Sequence, residues 1–133
     1  MLENNIIMNK LIIDIAGEKI FLMLITNKDI YNITKENTKI NYEKLTLIIN
    51  DFLNTHHFFL SDICKIYINR DSSSFAGIRN LISIVKAFNL VNNIEYYSFS
   101  FRDFKGEKDL SYENIPYLCE KFKIEKNLIN PIY

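Results

Sequence analysis

The amino-acid sequence predicts an α/β protein in which a mixed sheet packs against helices. Apolar runs of strand length alternate with segments of helical period along the chain. A length of 133 residues suits one domain, or a two-lobed domain with one lobe reduced. With 48% hydrophobic and 24% charged residues, the composition is that of a soluble globular protein whose core needs neither a disulfide nor a metal.

The beginning of the chain predicts three strands joined by tight turns. Residues 11–16 are a compact apolar run, and 19–26 are a second run rich in Ile, Phe and Leu. The turn residues Gly17 and Glu18 separate these two runs. After a second polar turn, residues 30–34 are expected to form the third strand.

Two later segments have the period of helices. Apolar residues recur three and four positions apart over 41–54, with Asn41 as the expected N-cap, and again over 76–90. Both apolar stripes are wider than one contact with a sheet requires, since Leu47 and Ala87 lie beside them. The surplus predicts a second packing partner for both helices.

The remaining elements complete the order strand, strand, strand, helix, strand, helix, strand, helix. Residues 64–69 alternate as a strand between the two helices, and 112–121 can form the last helix. The run "IEYYSFSF" at 94–101 is strand-like, with aromatic residues on both faces. We expect it to be an edge strand whose apolar surface needs a cover.

Charge and cysteine usage exclude several classes of protein. The chain has 16 basic and 16 acidic residues, so a stand-alone nucleic-acid binder is not expected. Cys64 and Cys119 lie in apolar patterns far apart, which predicts two reduced, buried thiols in a cytosolic protein. Asp14 and Glu18 interrupt the apolar segment 11–25, so no membrane span or signal core is predicted.

The sequence offers few residues for catalysis or metal binding. The adjacent His56 and His57 diverge in direction and lack partners at ligand spacing, so we expect an exposed pair and no metal site. A serine nucleophile within residues 71–74 would lack a third triad member, which favours a capped turn. Asp14 alone is expected to be a turn residue, and Arg79 either pairs with an acid on a partner or is an exposed helix charge.

Four segments of the chain match the motifs of one known protein family, in the same order and with the same spacing. "LIIDIA" resembles its first strand L-x-x-D-T-A, which places Asp14 on the family's aspartate. "SSFAGIRNLISIVKAFNL" resembles its turn and helix G-P-G-S-F-T-G-x-R-x-G, with matches at Ser74, Phe75, Gly77 and Arg79. "NYEKLTLIINDFLN" and "LSDICKIYI" resemble its first helix and the following strand. The chain therefore resembles the TsaB (YeaZ) family over roughly residues 9–90, with a weaker similarity in the tail "NPIY".

The departures from the family pattern concern the residues that would contact a phosphate. Asp-Ser-Ser at 71–73 replaces Gly-Pro-Gly, and Ile15 replaces a hydroxyl residue after the first aspartate. Between Phe101 and Ser111 the chain has only a polar turn where the family has several elements. These departures from the family pattern therefore predict no nucleotide cofactor.

The resemblance implies the N-terminal lobe of the actin-like, Hsp70-like (ASKHA, ribonuclease H-like) fold. It assigns residues 1–93 to that lobe and 94–133 to the remnant of a reduced C-terminal lobe. In the motif turn, Ser74 is expected to cap the helix and Phe75 to anchor the turn in the core. Gly77 would let the strand and helix backbones approach closely.

The resemblance also implies a function without catalysis. Family members assist in making threonylcarbamoyladenosine in tRNA by binding the catalytic subunit TsaD, together with the ATPase TsaE. Two helices of each protein form a four-helix bundle, and the same surface can make a homodimer; tRNA is contacted only indirectly. The corresponding interface residues are Tyr42, Leu45, Ile48, Ile49, Phe52, Ile78, Arg79, Ile82 and Val85.

Two alternatives to this function stay open from the sequence. One is a small actin-like hydrolase or kinase-like remnant that acts on a phosphate compound. The other is a degenerate homodimer without a role in tRNA modification.

Overall fold

A single five-stranded mixed sheet forms the centre of the computed structural model, which describes residues 8–71 and 75–127. The strand order is β3-β2-β1-β4-β5. Strand β1 is antiparallel to β2 and parallel to β4, β2 is antiparallel to β3, and β4 is parallel to β5. The strands are β1 Asn9–Asp14, β2 Lys19–Ile25, β3 Ile30–Glu36, β4 Ile63–Asn69 and β5 Glu95–Phe99. The mixed sheet predicted from the sequence is confirmed.

The helices lie on both faces of the sheet. They are α1 Lys39–Glu43, α2 Leu45–Thr55, α3 Phe75–Asn92 and α4 Ile115–Lys121. The first three pack on one face and contribute to one core, whereas α4 packs on the other face. The element order predicted from the sequence is therefore confirmed.

The first predicted helix differs from the observed one at its start and in its middle. Thr38, not Asn41, is the N-cap, because its hydroxyl oxygen accepts a hydrogen bond from the Asn41 N–H at 3.2 Å. The Asn41 side chain instead donates to the Glu36 carbonyl at 2.8 Å. Lys44, at φ −100° and ψ 18°, leaves the helical region and divides the predicted helix into α1 and α2.

The two cores meet at the central strand β1. Successive side chains of a strand point to opposite faces of a sheet. Leu11 and Ile13 accordingly belong to the core beneath α1–α3, while Ile12 belongs to the core beneath α4. All three are fully buried. A strand covered on both faces explains the nearly continuous apolar run in the sequence.

Strand β5 corrects the predicted boundary between a lobe at 1–93 and a remnant at 94–133. Its residues pair with β4 from Lys65↔Glu95 to Asn69↔Phe99, so they belong to the same sheet. Helix α4, with its buried Leu118, covers the second face of that sheet. Residues 95–121 are therefore part of the first lobe, because parallel pairing and a shared core join them to it.

The predicted edge position of β5 is confirmed, and the chain itself covers part of that edge. The Asn127 N–H donates to the Tyr96 carbonyl at 2.7 Å, and the Tyr96 N–H donates to the Asn127 side-chain oxygen at 3.0 Å. Tyr96 packs into the core beneath α1–α3, while Tyr97 stacks on Tyr67 in the other core, with ring centroids 5.1 Å apart. The aromatic residues of this strand therefore serve both cores.

The two cysteines have different environments. Cys119 is buried, as predicted, and this burial raises the pKa of its thiol to about 12. It is therefore protonated and unreactive at neutral pH. Cys64 is only half-buried, which corrects the prediction of two buried thiols. Among residues 8–71 and 75–127, no helix has the length and apolar character needed to cross a membrane.

The central position of β1 predicts a large difference between two isoleucine truncations. Ile12→Ala is expected to lower the free energy of unfolding by about 2–5 kcal/mol, because it leaves a cavity under α4. Ile30→Ala, on the edge strand β3 where the side chain is 46% exposed, should change it by less than about 1 kcal/mol. Urea denaturation followed by circular dichroism measures both. Equal losses would contradict the assignment of β1 to the centre of the sheet.

Candidate functional site

Polar side chains gather where the three parallel strands end. The carboxyl ends of parallel strands meet at one edge of a sheet, which is where α/β proteins bind ligands. Asp14 and Asn69 are the last residues of β1 and β4, and Ser100 directly follows β5. All three are buried, so their polar atoms require hydrogen-bond partners. We call this region the polar edge; its side chains are Asp14, Asn69, Arg70, Asp71, Ser100, Arg102, Asp103 and Tyr112.

Asp14 is the centre of the first group of contacts at the polar edge. Its carboxylate accepts hydrogen bonds from the Ala16 N–H at 2.8 Å, the Asn69 amide at 3.2 Å and the Tyr112 hydroxyl at 2.6 Å. Burial, and then the hydrogen bond to Asp14, raise the pKa of Tyr112, so its hydroxyl remains a donor at neutral pH. Asp14, predicted to be a turn residue, thus belongs to a hydrogen-bond network that includes Tyr112 from the last part of the chain.

An ion pair between Arg70 and Asp103 forms the second group. The guanidinium donates two parallel hydrogen bonds to the carboxylate, at 2.7 and 2.8 Å, and each side chain is only 22% exposed. The side-chain hydrogen bonds from Arg70 hold the pKa of Asp103 below its usual value, and the Ser100 N–H acts in the same direction. This pair fastens the segment after β5 to the end of β4.

Asp71 forms the third group. Its carboxylate accepts hydrogen bonds from the Ser100 hydroxyl and, at 3.1 Å, from the Arg102 guanidinium. The Asp71 N–H donates to the Asn69 side-chain oxygen at 2.9 Å. Ser100 is completely buried, so its hydroxyl is inaccessible to a substrate. Within the described part of the chain, no three His, Cys, Asp or Glu residues are placed to hold a metal ion.

The motif turn predicted from the family lies only partly within the described residues. Ser74, the predicted cap, lies outside them. Helix α3 begins at Phe75, Gly77 is buried in its first turn, and Arg79 is exposed. The roles of Ser74, Phe75 and Gly77 in setting the angle of the helix stay predictions.

Five of the nine predicted interface residues are used by the chain's own core. They lie on the sides of α2 and α3 that face the sheet and are 0–6% exposed: Leu45, Ile49, Phe52, Ile78 and Val85. The helical period identified the apolar stripe correctly, but that stripe packs against the strands. The prediction that these five side chains contact a partner is therefore wrong, because they contact the sheet instead.

The other four predicted residues, with one addition, lie where a partner can reach them. Tyr42, Ile48 and Ile82 are half-buried and Arg79 is exposed. Leu47 is 56% exposed, because its position two residues after Leu45 turns it to the opposite side of α2. We call these five residues the helical face. The Asn80 amide donates to the Tyr42 carbonyl at 2.6 Å and so joins α3 to α1.

The two histidines have separate environments, which corrects the predicted exposed pair. His56 is half-buried and stacks on Tyr31, with ring centroids 4.0 Å apart, and its edge contacts Phe52 at 5.3 Å. His57 is exposed and has a positive φ of 67°. His56 therefore contributes to packing between β3 and α2.

Comparisons with known proteins identify the fold. No family model matches the chain, and no curated protein does. Among solved structures, YeaZ from Pseudomonas aeruginosa matches 70% of this chain with a TM-score of 0.63 and 18% identity. A structure described as an uncharacterized protein with similarity to peptidase YeaZ, from the same organism, gives the same three values. The chain matches 44% and 43% of those two chains, which is less than half of their length.

This likeness confirms the fold resemblance read from the sequence. The matched residues share the fold of the corresponding part of YeaZ, a mixed sheet with packed helices, as the resemblance implies.

The ion pair at the polar edge predicts a specific acid dependence. A carboxyl whose pKa is lowered in the folded state stabilises it above the unfolded pKa, and this contribution is lost as the pH falls through the folded pKa. Asp103→Asn should therefore lower the melting temperature by several degrees at pH 7, with a difference from the wild type that shrinks below pH 3.8. Thermal melts from pH 2 to 7 measure this difference.

Asp51→Asn is the matched control, because it removes an exposed carboxyl on α2. It should change the melting temperature little at any pH. If Asp103→Asn behaved like this control, the Arg70–Asp103 pair would have no structural role.

Proposed function

We propose that this chain is a non-catalytic partner subunit in the threonylcarbamoyladenosine modification of tRNA, and that its helical face binds a TsaD-like catalytic subunit. The observation that supports this function is the YeaZ fold, matched over 70% of the chain. In this proposal the tRNA is contacted through the catalytic subunit, a TsaE-like ATPase completes the assembly, and the isolated chain forms a homodimer through the same face.

The chemistry of the helical face suits binding to another protein. Leu47 presents an exposed apolar side chain, with the half-buried Ile48 next to it in α2. Arg79 adds a cationic side chain, and arginine is enriched in protein interfaces. A specific interface covers roughly 800 Å² of each partner, so it would extend beyond these residues over the solvent side of α2 and α3.

The contacts of the polar edge support a role without catalysis. Its acids are engaged by other groups of the chain: Asp14 by Tyr112, Asp71 by Ser100 and Asp103 by Arg70. Nucleophilic catalysis needs an accessible nucleophile beside a base, and the hydroxyl of Ser100 is buried. Neutral overall charge also agrees with indirect contact to tRNA.

One substitution tests the helical face without disturbing the core. Leu47→Asp places a charge at an exposed position, so the fold should be retained while association with the TsaD homologue of the same organism weakens about thirtyfold or more. Isothermal calorimetry measures the affinity, and light scattering measures the homodimer.

Tyr117→Asp provides the control, since Tyr117 is 58% exposed but belongs to α4 on the opposite face of the sheet. Its affinity for the TsaD homologue should equal that of the wild type. Equal weakening by both variants, or by neither, would contradict the assignment of the interface to the helical face.

Complementation tests the role in tRNA modification. When this chain and its cognate TsaD homologue are expressed in a bacterium depleted of its own TsaB, threonylcarbamoyladenosine is expected to reappear in the tRNA. Mass spectrometry of digested tRNA measures the nucleoside, and Leu47→Asp should lower its amount. Absence of the nucleoside with a soluble wild-type chain would favour a homodimer outside tRNA modification.

A further inference from the structure

Other proteins with the actin-like fold that the resemblance implies would hold a nucleotide and its magnesium ion at the edge that corresponds to the polar edge. The resemblance places Asp14 on the aspartate of the family's first strand, and Asp14 is the last residue of β1 at that edge. A site for magnesium would need carboxylate oxygens that are open to the ion and its waters. Whether the polar edge can provide them depends on what already contacts Asp14.

Both carboxylate oxygens of Asp14 already accept hydrogen bonds from the chain. Oδ1 accepts from the Ala16 N–H, and Oδ2 accepts from the amide of Asn69 and the hydroxyl of Tyr112. With Asp14 only 6% exposed, little of the carboxylate is open to solvent. These residues do not fit a magnesium–nucleotide site.

Tyr112 is held at Asp14 by aromatic contacts as well as by its hydroxyl. Its ring stacks on Phe21 of β2, with centroids 4.3 Å apart, and meets the edge of Phe101 at 6.0 Å. The turn that carries Tyr112 has its own hydrogen bonds, because the Ser111 hydroxyl donates to the Asp109 carboxylate at 2.6 Å. The position of the hydroxyl is thus fixed from three sides.

We infer that Tyr112 and Asp14 form a structural clasp, in which the segment before α4 closes the edge of the sheet where the fold would otherwise hold a nucleotide. The two residues are 98 positions apart in the sequence. The clasp fastens the layer that contains α4 to the central strand. The Arg70–Asp103 pair acts beside it, joining the end of β4 to the segment after β5.

A double-mutant cycle tests the clasp. Tyr112→Phe keeps the ring and removes the hydroxyl, so it should increase the equilibrium constant for unfolding about tenfold, as expected for a lost hydrogen bond to a charged group. Asp14→Asn should increase it at least as much. In the Asp14→Asn background, Tyr112→Phe should add less than about twofold, because the shared contact is already lost.

The control is Tyr117→Phe, which removes a hydroxyl from an exposed tyrosine on α4 and should change the constant by less than about twofold. Amide hydrogen exchange adds a local measurement, with faster exchange over residues 109–114 expected in Tyr112→Phe and not in Tyr117→Phe. If Tyr112→Phe increased the equilibrium constant for unfolding tenfold in the Asp14→Asn background as well, the clasp would be overturned.

Calorimetry with ATP and magnesium tests the closure of the edge. The wild-type chain is expected to bind neither at millimolar concentrations. Binding that is lost in Asp14→Asn would overturn the inference and would favour the hydrolase or kinase alternative. The affinity of Tyr112→Phe for the TsaD homologue is expected to equal that of the wild type. This measurement distinguishes a failure of the clasp from a failure of the proposed function.

Discussion

The central strand β1 is the constraint on which the rest of the structure depends. Leu11, Ile12 and Ile13 are fully buried, and the strand pairs antiparallel with β2 and parallel with β4. Because both faces of β1 must be covered, helices are required on each side of the sheet. Because β1, β4 and β5 run parallel, their carboxyl ends meet, and the polar residues that follow them form one edge.

Most of the fold could be predicted from the sequence because the central strands and longer helices are strongly periodic. The limits of the prediction lie where local geometry has alternatives. Asn41 and Thr38 are both good N-cap residues. Thr38 caps the helix, because the Asn41 side chain donates to the Glu36 carbonyl at the end of β3. The apolar pattern gives no indication that the predicted helix is divided at Lys44 into α1 and α2. Pairing of β5 with β4 is a contact between distant segments, so the predicted boundary after residue 93 could not anticipate it.

The candidate site could be predicted only in part, for a physical reason. A helical stripe shows which side of α2 and α3 is apolar, but it does not show whether that side packs on a sheet or on a partner. The sequence therefore predicts an interface for Leu45 and Val85, although both are buried in the chain's own core. Leu47 was the sequence feature that indicated an apolar side chain open to a partner, because it lies off the stripe. No sequence feature indicated the role of Tyr112, because that role depends on its contact with Asp14, 98 positions away in the sequence.

The two candidate surfaces differ in what their residues are available to do. At the polar edge, a buried carboxylate or hydroxyl needs a partner, and the partners of Asp14, Asp71 and Asp103 come from the chain itself. Bonds of this kind stabilise the layer of α4, but they occupy the atoms that would contact a ligand. At the helical face, exposed and half-buried apolar side chains such as those of Leu47 and Ile48 would gain free energy by losing contact with water. The polar edge therefore holds the structure together, and the exposed apolar side chains of the helical face support the proposed association with a partner.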